Sequence, residues 1–253
     1  LTFEQFVDKI DNLNSLEVTL IGDTIIDEYV YCKVAGTATK HPCLSAIHNR
    51  SERMPGGVLA VARHLSNFVK KVNVITRVSS FHDLKGFKLN DNINLVLLYD
   101  GEHTNLKKRY ISEGYPNSLK KVKRKGYNSR LFEIAIFPEN DLSEQYEERA
   151  IVALDNCIRR SDCLMVADFG HGMLTNNIIN KINQTKGIFK AVNSQTNSVN
   201  FGFNLVDRYK DIDFVCIDEL EARLPSGDKQ TDIEIIGESI KKDNDFKNLI
   251  ITR

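Results

Sequence analysis

The chain of 253 residues has no excess charge of either sign, because 34 lysines and arginines balance 34 aspartates and glutamates. It also lacks a run of about 18 apolar residues and a signal-peptide pattern at its start. The charge balance provides no general attraction for nucleic acid or for a membrane, so we expect a cytoplasmic protein. The hydrophobic content of 42% and charged content of 27% are ordinary for a globular protein of one large α/β domain or two small ones.

Several metal and nucleotide motifs are absent as well. The five cysteines form no Cys-x-x-Cys pair, and the six histidines show no His-x-x-x-His spacing. We therefore expect reduced, mostly buried thiols and no histidine-rich metal site. No Gly-x-Gly-x-x-Gly follows the first predicted strand, and no Gly-x-x-x-x-Gly-Lys-Ser/Thr segment occurs. This argues against a Rossmann dinucleotide site and a P-loop.

Two glycine-containing segments carry the strongest functional indication. Gly22 and Asp23 end the apolar run that starts at Val18, and Asp27 follows four residues later. The second segment is Pro55-Gly56-Gly57, directly before a helix-like stretch. Carboxylates at the carboxyl edge of a sheet accept hydrogen bonds from hydroxyls, and glycine backbone at a helix start can approach a ligand closely. The pair favours a sugar ligand held by Asp27, with Asp23 capping the turn. The alternative is that both aspartates only satisfy loop N–H groups.

The order of predicted elements indicates an α/β fold with a mostly parallel central sheet flanked by helices. An amphipathic helix at Thr2–Leu13, with a capping box from Thr2 to Gln5, precedes the first strand. Strands 29–34 and 43–48 are not followed by helices, so they predict a small antiparallel β-lid formed by about 29–54 and part of 100–130. Such a lid would exclude water from a ligand at the sheet edge.

Further polar segments follow the later strands. Asp168 ends a strand and precedes a Gly-x-Gly loop with Thr175 as the next helix N-cap. The run 193–198 supplies amides and hydroxyls after another strand, and is either a ligand edge or a polar loop. Asp218 and Glu221 lie one helical turn apart, where they either organise a metal–phosphate site or complement the helix dipole.

Two basic runs, 107–109 and 120–125, stand out in a neutral chain. Most such runs are solvated, but Arg109 on its strand is the cation that we expect to reach a substrate phosphate. His171 is expected to be an exposed loop histidine. No aromatic interleaving accompanies the basic runs, so nucleic acid is not an expected partner.

In their order, these segments resemble the PfkB/ribokinase family of sugar kinases over nearly the whole chain. The closest likeness is to the heptose-7-phosphate kinase domains of bifunctional ADP-heptose synthases. No single motif decides the resemblance; the ordered set does. The matching pieces are Gly22-Asp23-x-x-x-Asp27, the lid strands, Pro55-Gly56-Gly57, Arg109-Tyr110, Ala167-Asp168-Phe169-x-x-Gly172-x-Leu174-Thr175 and the segment from Asp218 to Glu221.

The resemblance implies a ribokinase-like α/β sandwich whose β-lid often dimerises, and phosphoryl transfer from ATP with Mg²⁺ to a hydroxyl of a sugar phosphate. It implies that Asp27, Gly56 and Gly57 contact the sugar and that Asp168 lies near the sugar or the phosphates. It implies a place for Glu221 in the magnesium–phosphate network. Arg109 and Asn193 complete the expected substrate-binding set.

The chain also departs from the family pattern. The catalytic aspartate of the family lies in a Gly-Ala-Gly-Asp loop after the final strand, and residues 1–253 contain no such loop. We therefore expect a single incomplete ribokinase-like domain whose nucleotide-binding portion follows residue 253, and no kinase turnover by this fragment alone. Four positions differ from the family's usual asparagine, lysine, lysine and asparagine: Ala60, His171, Gln195 and Asp218.

Two hypotheses remain open on the sequence. In the first, the chain belongs to a sugar-phosphate kinase, with a heptose phosphate as the expected substrate, that residues beyond 253 complete. In the second, it is a kinase-like domain that binds a sugar phosphate or supports oligomerisation without catalysis, and that could be fused to a nucleotidyltransferase.

Overall fold

The computed structural model describes residues 2–113, 129–197 and 200–253. Seven strands, numbered in chain order, form its central sheet: β1 (Glu17–Gly22), β4 (Lys71–Arg77), β5 (Ile93–Leu98), β8 (Cys163–Asp168), β9 (Phe189–Ser194), β10 (Phe214–Asp218) and β11 (Asn248–Thr252). They lie in the order β11-β10-β9-β8-β1-β4-β5, and every neighbouring pair is parallel. The carboxyl ends of these strands therefore meet at one edge of the sheet.

The lid is a separate sheet of four strands: β2 (Thr24–Thr37), β3 (Leu44–Gly57), β6 (Asn105–Ser112) and β7 (Ser129–Ile136). The outer pairs β2–β3 and β6–β7 are antiparallel, whereas β2 and β6 are parallel. The predicted lid is present, but it is mixed rather than wholly antiparallel. β2 and β3 are also longer than the predicted strands 29–34 and 43–48, and only Asp23 separates β1 from β2. The basic run 120–125 and the predicted lid residues 114–128 lie outside the described residues.

Six α-helices are present in the described residues: α1 (Phe3–Leu13), α2 (Val58–Leu65), α3 (Glu144–Ile158), α4 (Asn176–Gln184), α5 (Glu219–Arg223) and α6 (Ile233–Asp243). The predicted capping box of α1 is confirmed, since Thr2 Oγ1 accepts the N–H of Gln5 at 3.2 Å and Gln5 Oε1 accepts that of Thr2 at 3.0 Å. Within the described residues, no helix has the length and apolar character needed to cross a membrane.

The hydrophobic core occupies both faces of the central sheet. Along β1, Val18 and Leu20 belong to the cluster that packs on α2, whereas Ile21 belongs to the cluster that includes residues of α3, α4 and α6. Alternate residues of one strand thus serve opposite cores, which is the pattern of a parallel sheet covered on both sides. The predicted α/β fold with a mostly parallel sheet flanked by helices is confirmed.

The cysteines are all free, as expected, but their burial was overestimated. Cys32 on β2 is buried, Cys43 is exposed, and the other three are partly buried. Cys43 lies just before β3, in the turn that joins the two longest lid strands, where little else covers it.

Candidate functional site

Asp27 and the Gly56-Gly57 pair meet where the lid joins the central domain. The carboxylate of Asp27 lies against the backbone of Gly56, where an added Cβ would be 2.1 Å from Asp27 Oδ2. Gly57 has a φ of +56°, and a Cβ there would lie 2.3 Å from the main-chain oxygen of Asp23. Only glycine allows this close approach. The structure therefore brings Asp27 to Gly56 and Asp23 to Gly57, directly before the first turn of α2, and the binding of a sugar by these residues stays a prediction.

Arg109 lies beside Asp27 but is engaged on both sides. Its guanidinium forms an ion pair with Asp27 and a second one with Glu133 of β7, at 2.8 Å from Nε to Oε2. Its side chain is only 16% exposed. Two carboxylates thus compensate the charge that the sequence assigned to a substrate phosphate. Glu133 was missed because its position opposite Arg109 follows from the β6–β7 register, which a single sequence does not reveal.

Asp23 connects the start of α2 to the loop that follows β8. Its main-chain oxygen accepts the N–H of Val58 at 2.9 Å. Its carboxylate accepts the N–H groups of Phe169, His171 and Met173 at 3.0, 3.4 and 3.1 Å. Complete burial raises the pKa of Asp23 to about 7, and the charge of nearby Asp168 adds to this effect. Asp23 does more than cap its own turn, because it fixes a loop almost 150 residues away.

Asp168, the last residue of β8, is fully enclosed by donors. Oδ1 accepts the N–H of Gly170 at 3.0 Å and the side-chain amide of Asn204 at 3.1 Å, while Oδ2 accepts the hydroxyl of Tyr209 at 2.7 Å. Burial raises the pKa of Asp168, and the bond from Tyr209 partly offsets this shift. Asn204 and Tyr209 were not anticipated, since they come from the long segment between β9 and β10.

The remaining predicted residues follow the neighbouring strands. The side-chain amide of Asn193 on β9 donates to the main-chain oxygen of Cys216 at 2.8 Å. Glu221 accepts the N–H of Thr196 at 2.9 Å and that of Asp218 at 2.8 Å, and Asp218 in turn accepts the N–H of Glu221. Asp218 and Glu221 therefore form a capping box for α5. Burial raises the pKa of Glu221. Their roles toward a ligand stay predictions.

His171 is not the exposed loop residue that the sequence predicted. It is only 7% exposed, and its ring stacks on Phe137 with 4.0 Å between centroids. The bond from its N–H to Asp23 draws the loop inward, and Phe137, the residue after β7, covers the imidazole. Burial lowers the pKa of His171 to about 4, with Lys107 adding to the shift.

Solved structures with the same architecture identify the fold. Phosphofructokinase-2 from Escherichia coli in complex with fructose-6-phosphate superposes with a TM-score of 0.64 at 13% identity, covering 94% of this chain and 73% of that one. Ribokinase from Arabidopsis thaliana complexed with ribose and ATP gives 0.55 at 13% identity, covering 94% and 72%. The chain has a ribokinase-like fold. No protein-family model matches the ribokinase-like chain.

Sequence similarity relates the ribokinase-like chain to bifunctional proteins. The bifunctional protein HldE of Gluconobacter oxydans is 22% identical over 251 residues, which are 96% of this chain and 49% of that protein. The HldE protein of a Bradyrhizobium species is 27% identical over 191 residues, which are 72% and 36%. The chain thus spans about half or less of the curated relatives that it matches. The resemblance inferred from the motifs is confirmed by these similarities.

Proposed function

We propose that the chain is the sugar-binding part of a kinase domain that transfers the γ-phosphoryl group of ATP to a hydroxyl of a sugar phosphate. The observation that carries this proposal is the contact between the Asp27 carboxylate and Gly56. It places a hydrogen-bond acceptor beside bare backbone and the N-terminus of α2, under a lid that can exclude water. A sugar ring with several hydroxyls suits this combination of groups.

The finer substrate assignment is a heptose phosphate. It rests on the ordered motifs, which resemble heptose-phosphate kinase domains most closely, and on the similarity to HldE proteins. In this proposal Asp27, Gly56 and Gly57 bind the sugar. Arg109 orients Asp27 rather than meeting the phosphate, since it is already paired with two carboxylates. Asp168 and Asn193 line the same edge from β8 and β9.

Mg²⁺ and ATP are the cofactors that this activity requires. Magnesium is usually held by one or two carboxylates together with nucleotide phosphates and water. Among the described residues, no three His, Cys, Asp or Glu side chains cluster in a way that could hold a metal ion. Glu221 lies on α5, directly after β10, and is proposed as the single protein carboxylate of such a magnesium site. The nucleotide phosphates would then supply most of the ligands.

The catalytic base is proposed to lie outside these 253 residues. The family resemblance places it in a Gly-Ala-Gly-Asp loop, which the sequence does not contain. Consistent with this, the chain covers 72–73% of the solved kinases that share its fold. The proposed domain is therefore a single ribokinase-like unit that further residues complete.

A second candidate function is sugar-phosphate binding without catalysis. The observation in its favour is the capping box of α5, in which Asp218 and Glu221 bond to each other's main chain and to Thr196. Because the carboxylate of Glu221 already accepts two main-chain N–H groups, fewer of its lone pairs are available to magnesium. The substitutions at Ala60, His171 and Gln195 point in the same direction.

Self-association through the lid is proposed as well. Phe132, Ile134 and Ile136 alternate along the edge strand β7 and are 52%, 42% and 39% exposed. They lie on the face opposite Lys107 and Arg109, because their partners on β6 are Tyr110, Lys108 and Leu106. An apolar stripe on an edge strand is a typical interaction surface.

The experiment that tests the function uses the full-length polypeptide with ATP, Mg²⁺ and a panel of sugar and heptose phosphates, and measures ADP release. Release with one sugar phosphate supports the kinase. Thermal stabilisation by a sugar phosphate without ADP release supports the binding-only alternative. If no sugar or sugar phosphate binds, both are wrong.

A further inference from the structure

Lys107 lies at the candidate site, on the lid strand β6. It pairs in register with Asp27 across β2 and β6, and therefore shares the face that carries Asp27 and Arg109. The next two residues in the sequence both form ion pairs, Lys108 with Glu28 at 3.0 Å and Arg109 with two carboxylates. Lys107 forms no such ion pair within the described residues. Its Nζ instead lies 6.0 Å from the ring centroid of Phe137.

His171 reaches the same aromatic ring from the central domain. Its imidazole stacks on Phe137, and its buried Nε2 has no hydrogen-bond partner among the residues that the structure describes. A buried nitrogen left unsatisfied destabilises the fold, and such groups are rare in folded proteins. Phe137 thus lies between the ammonium of Lys107 from the lid and the unsatisfied Nε2 of His171 from the loop that Asp23 holds.

Resting on the proposed function, we propose that Lys107 and His171 form the subsite for an anionic substituent of the substrate, of the phosphate class. Lys107 supplies the compensating charge, and His171 supplies a hydrogen bond through Nε2 once Phe137 shifts off its ring. The assignment differs from the sequence prediction, which gave this role to Arg109.

An ammonium without an ion pair favours an anion over a neutral group. Burial lowers the pKa of Lys107 and Arg109 adds to this shift, whereas the charges of Glu133, Asp27 and Asp23 oppose it without forming an ion pair with Nζ. Phosphate oxygens accept hydrogen bonds from both an ammonium and an imidazole. A neutral hydroxyl would satisfy Nε2 but would not give the ammonium of Lys107 an ion pair.

The stacked arrangement also links occupancy of the subsite to the position of the lid. Phe137 directly follows β7, so moving its ring moves the end of a lid strand relative to the loop 169–173. Because Asp23 fixes that loop through three N–H groups, the displacement falls on the lid. Binding of the anion would therefore couple to the position of the lid.

The test compares Lys107→Met, His171→Phe and the control Lys108→Met in the full-length protein. His171→Phe keeps a flat ring for stacking on Phe137 but removes Nε2. Lys108→Met removes a lysine from the same strand on the opposite face. Calorimetry measures the affinity of each variant for a heptose and for its 7-phosphate. A separate NMR titration with inorganic phosphate follows the imidazole resonances of His171.

We expect Lys107→Met and His171→Phe each to weaken heptose 7-phosphate binding by about tenfold, and to leave the unphosphorylated heptose within about twofold. Lys108→Met should match the wild type for both ligands. Inorganic phosphate should shift the His171 resonances in the wild type and not in Lys107→Met.

The outcomes separate this inference from the proposed function. If Asp27-dependent sugar binding is present but Lys107→Met and His171→Phe bind the 7-phosphate like the wild type, the subsite is wrong and the function stands. If no sugar binds but phosphate shifts the His171 resonances in a Lys107-dependent way, the subsite stands and the function is wrong. Absence of both effects overturns both.

Discussion

The carboxylate of Asp27 rests on the backbone of Gly56, and an added methyl group at Gly56 would lie 2.1 Å from Asp27 Oδ2. Gly56→Ala should therefore displace Asp27 and loosen its ion pair with Arg109. We expect a loss of sugar affinity together with a fall in the free energy of unfolding of about 1–3 kcal/mol. Calorimetry and urea unfolding measure the two effects. Unchanged affinity in a folded Gly56→Ala protein would separate Gly56 from the binding site.

Asp27→Ala tests the hydrogen bonds to sugar hydroxyls more directly. Arg109 keeps its second partner Glu133, so the change does not leave the guanidinium without a counter-charge. We expect the sugar affinity to fall by about 1–3 kcal/mol, the cost of losing buried hydrogen bonds. Asp27→Asn keeps the shape and serves as the matched control for charge. An affinity equal to that of the wild type in both variants would make Asp27 structural.

The sequence predicted the central sheet well, because each of its strands is an apolar run followed by a turn or helix signal. β8 at Cys163–Asp168 ends at Asp168, as predicted. The lid was harder. In β3, the segment from His48 to Arg53 is exposed and largely polar, so it carries no hydrophobic alternation that would reveal a strand. The long-range register that pairs it with β2 determines its conformation instead.

The candidate site was predicted in part for a similar reason. Asp27, Gly56 and Gly57 belong to short sequence motifs, and the structure places Asp27 against Gly56. The ion-pair and hydrogen-bond partners of these side chains come from distant segments of the sequence. Glu133 compensates Arg109, and Tyr209 bonds to Asp168. No periodicity or local spacing places these residues together.

The stability of the protein should depend on the protonation of His171. Burial lowers the pKa of His171 from 6.5 to about 4. Because the folded state disfavours the protonated ring, the stability that neutral His171 contributes is present above the pKa of the unfolded state. It is lost as the pH falls toward the lower pKa of the folded state. Between about pH 7 and about pH 5 the loss should be roughly 2 kcal/mol.

His171→Phe should abolish this contribution while it retains the stacking on Phe137. The measurement is urea unfolding of wild type and variant at both pH values, followed by circular dichroism. The difference between the two proteins isolates His171 from Asp23 and Asp168, whose pKa values are raised and which act in the opposite direction. Equal pH dependence in both proteins would contradict the prediction.

Arg77 at the end of β4 and Asp100 after β5 form an ion pair at 2.6 Å between Nε and Oδ2, and both side chains are 2% exposed. Arg77→Ala should cost about 3–5 kcal/mol of unfolding free energy, because it leaves a buried carboxylate without its cation. The double variant Arg77→Met with Asp100→Leu should lose clearly less. Urea unfolding of all three proteins checks this, and a double variant as unstable as Arg77→Ala would show that the charge is not the cause.

The exposed apolar stripe on β7 leads to a prediction about assembly. Ile134→Glu places a charge in the middle of the stripe, between Phe132 and Ile136, and should convert a self-associating protein to monomers at micromolar concentration. Ile235→Glu is the matched control, since Ile235 on α6 is 63% exposed and belongs to a different surface. Light scattering after size-exclusion chromatography measures the mass of each protein. A monomeric wild type, or an oligomer that Ile134→Glu leaves intact, would exclude the lid stripe as the interface, because a charge buried at an apolar contact without a partner is too costly to be tolerated.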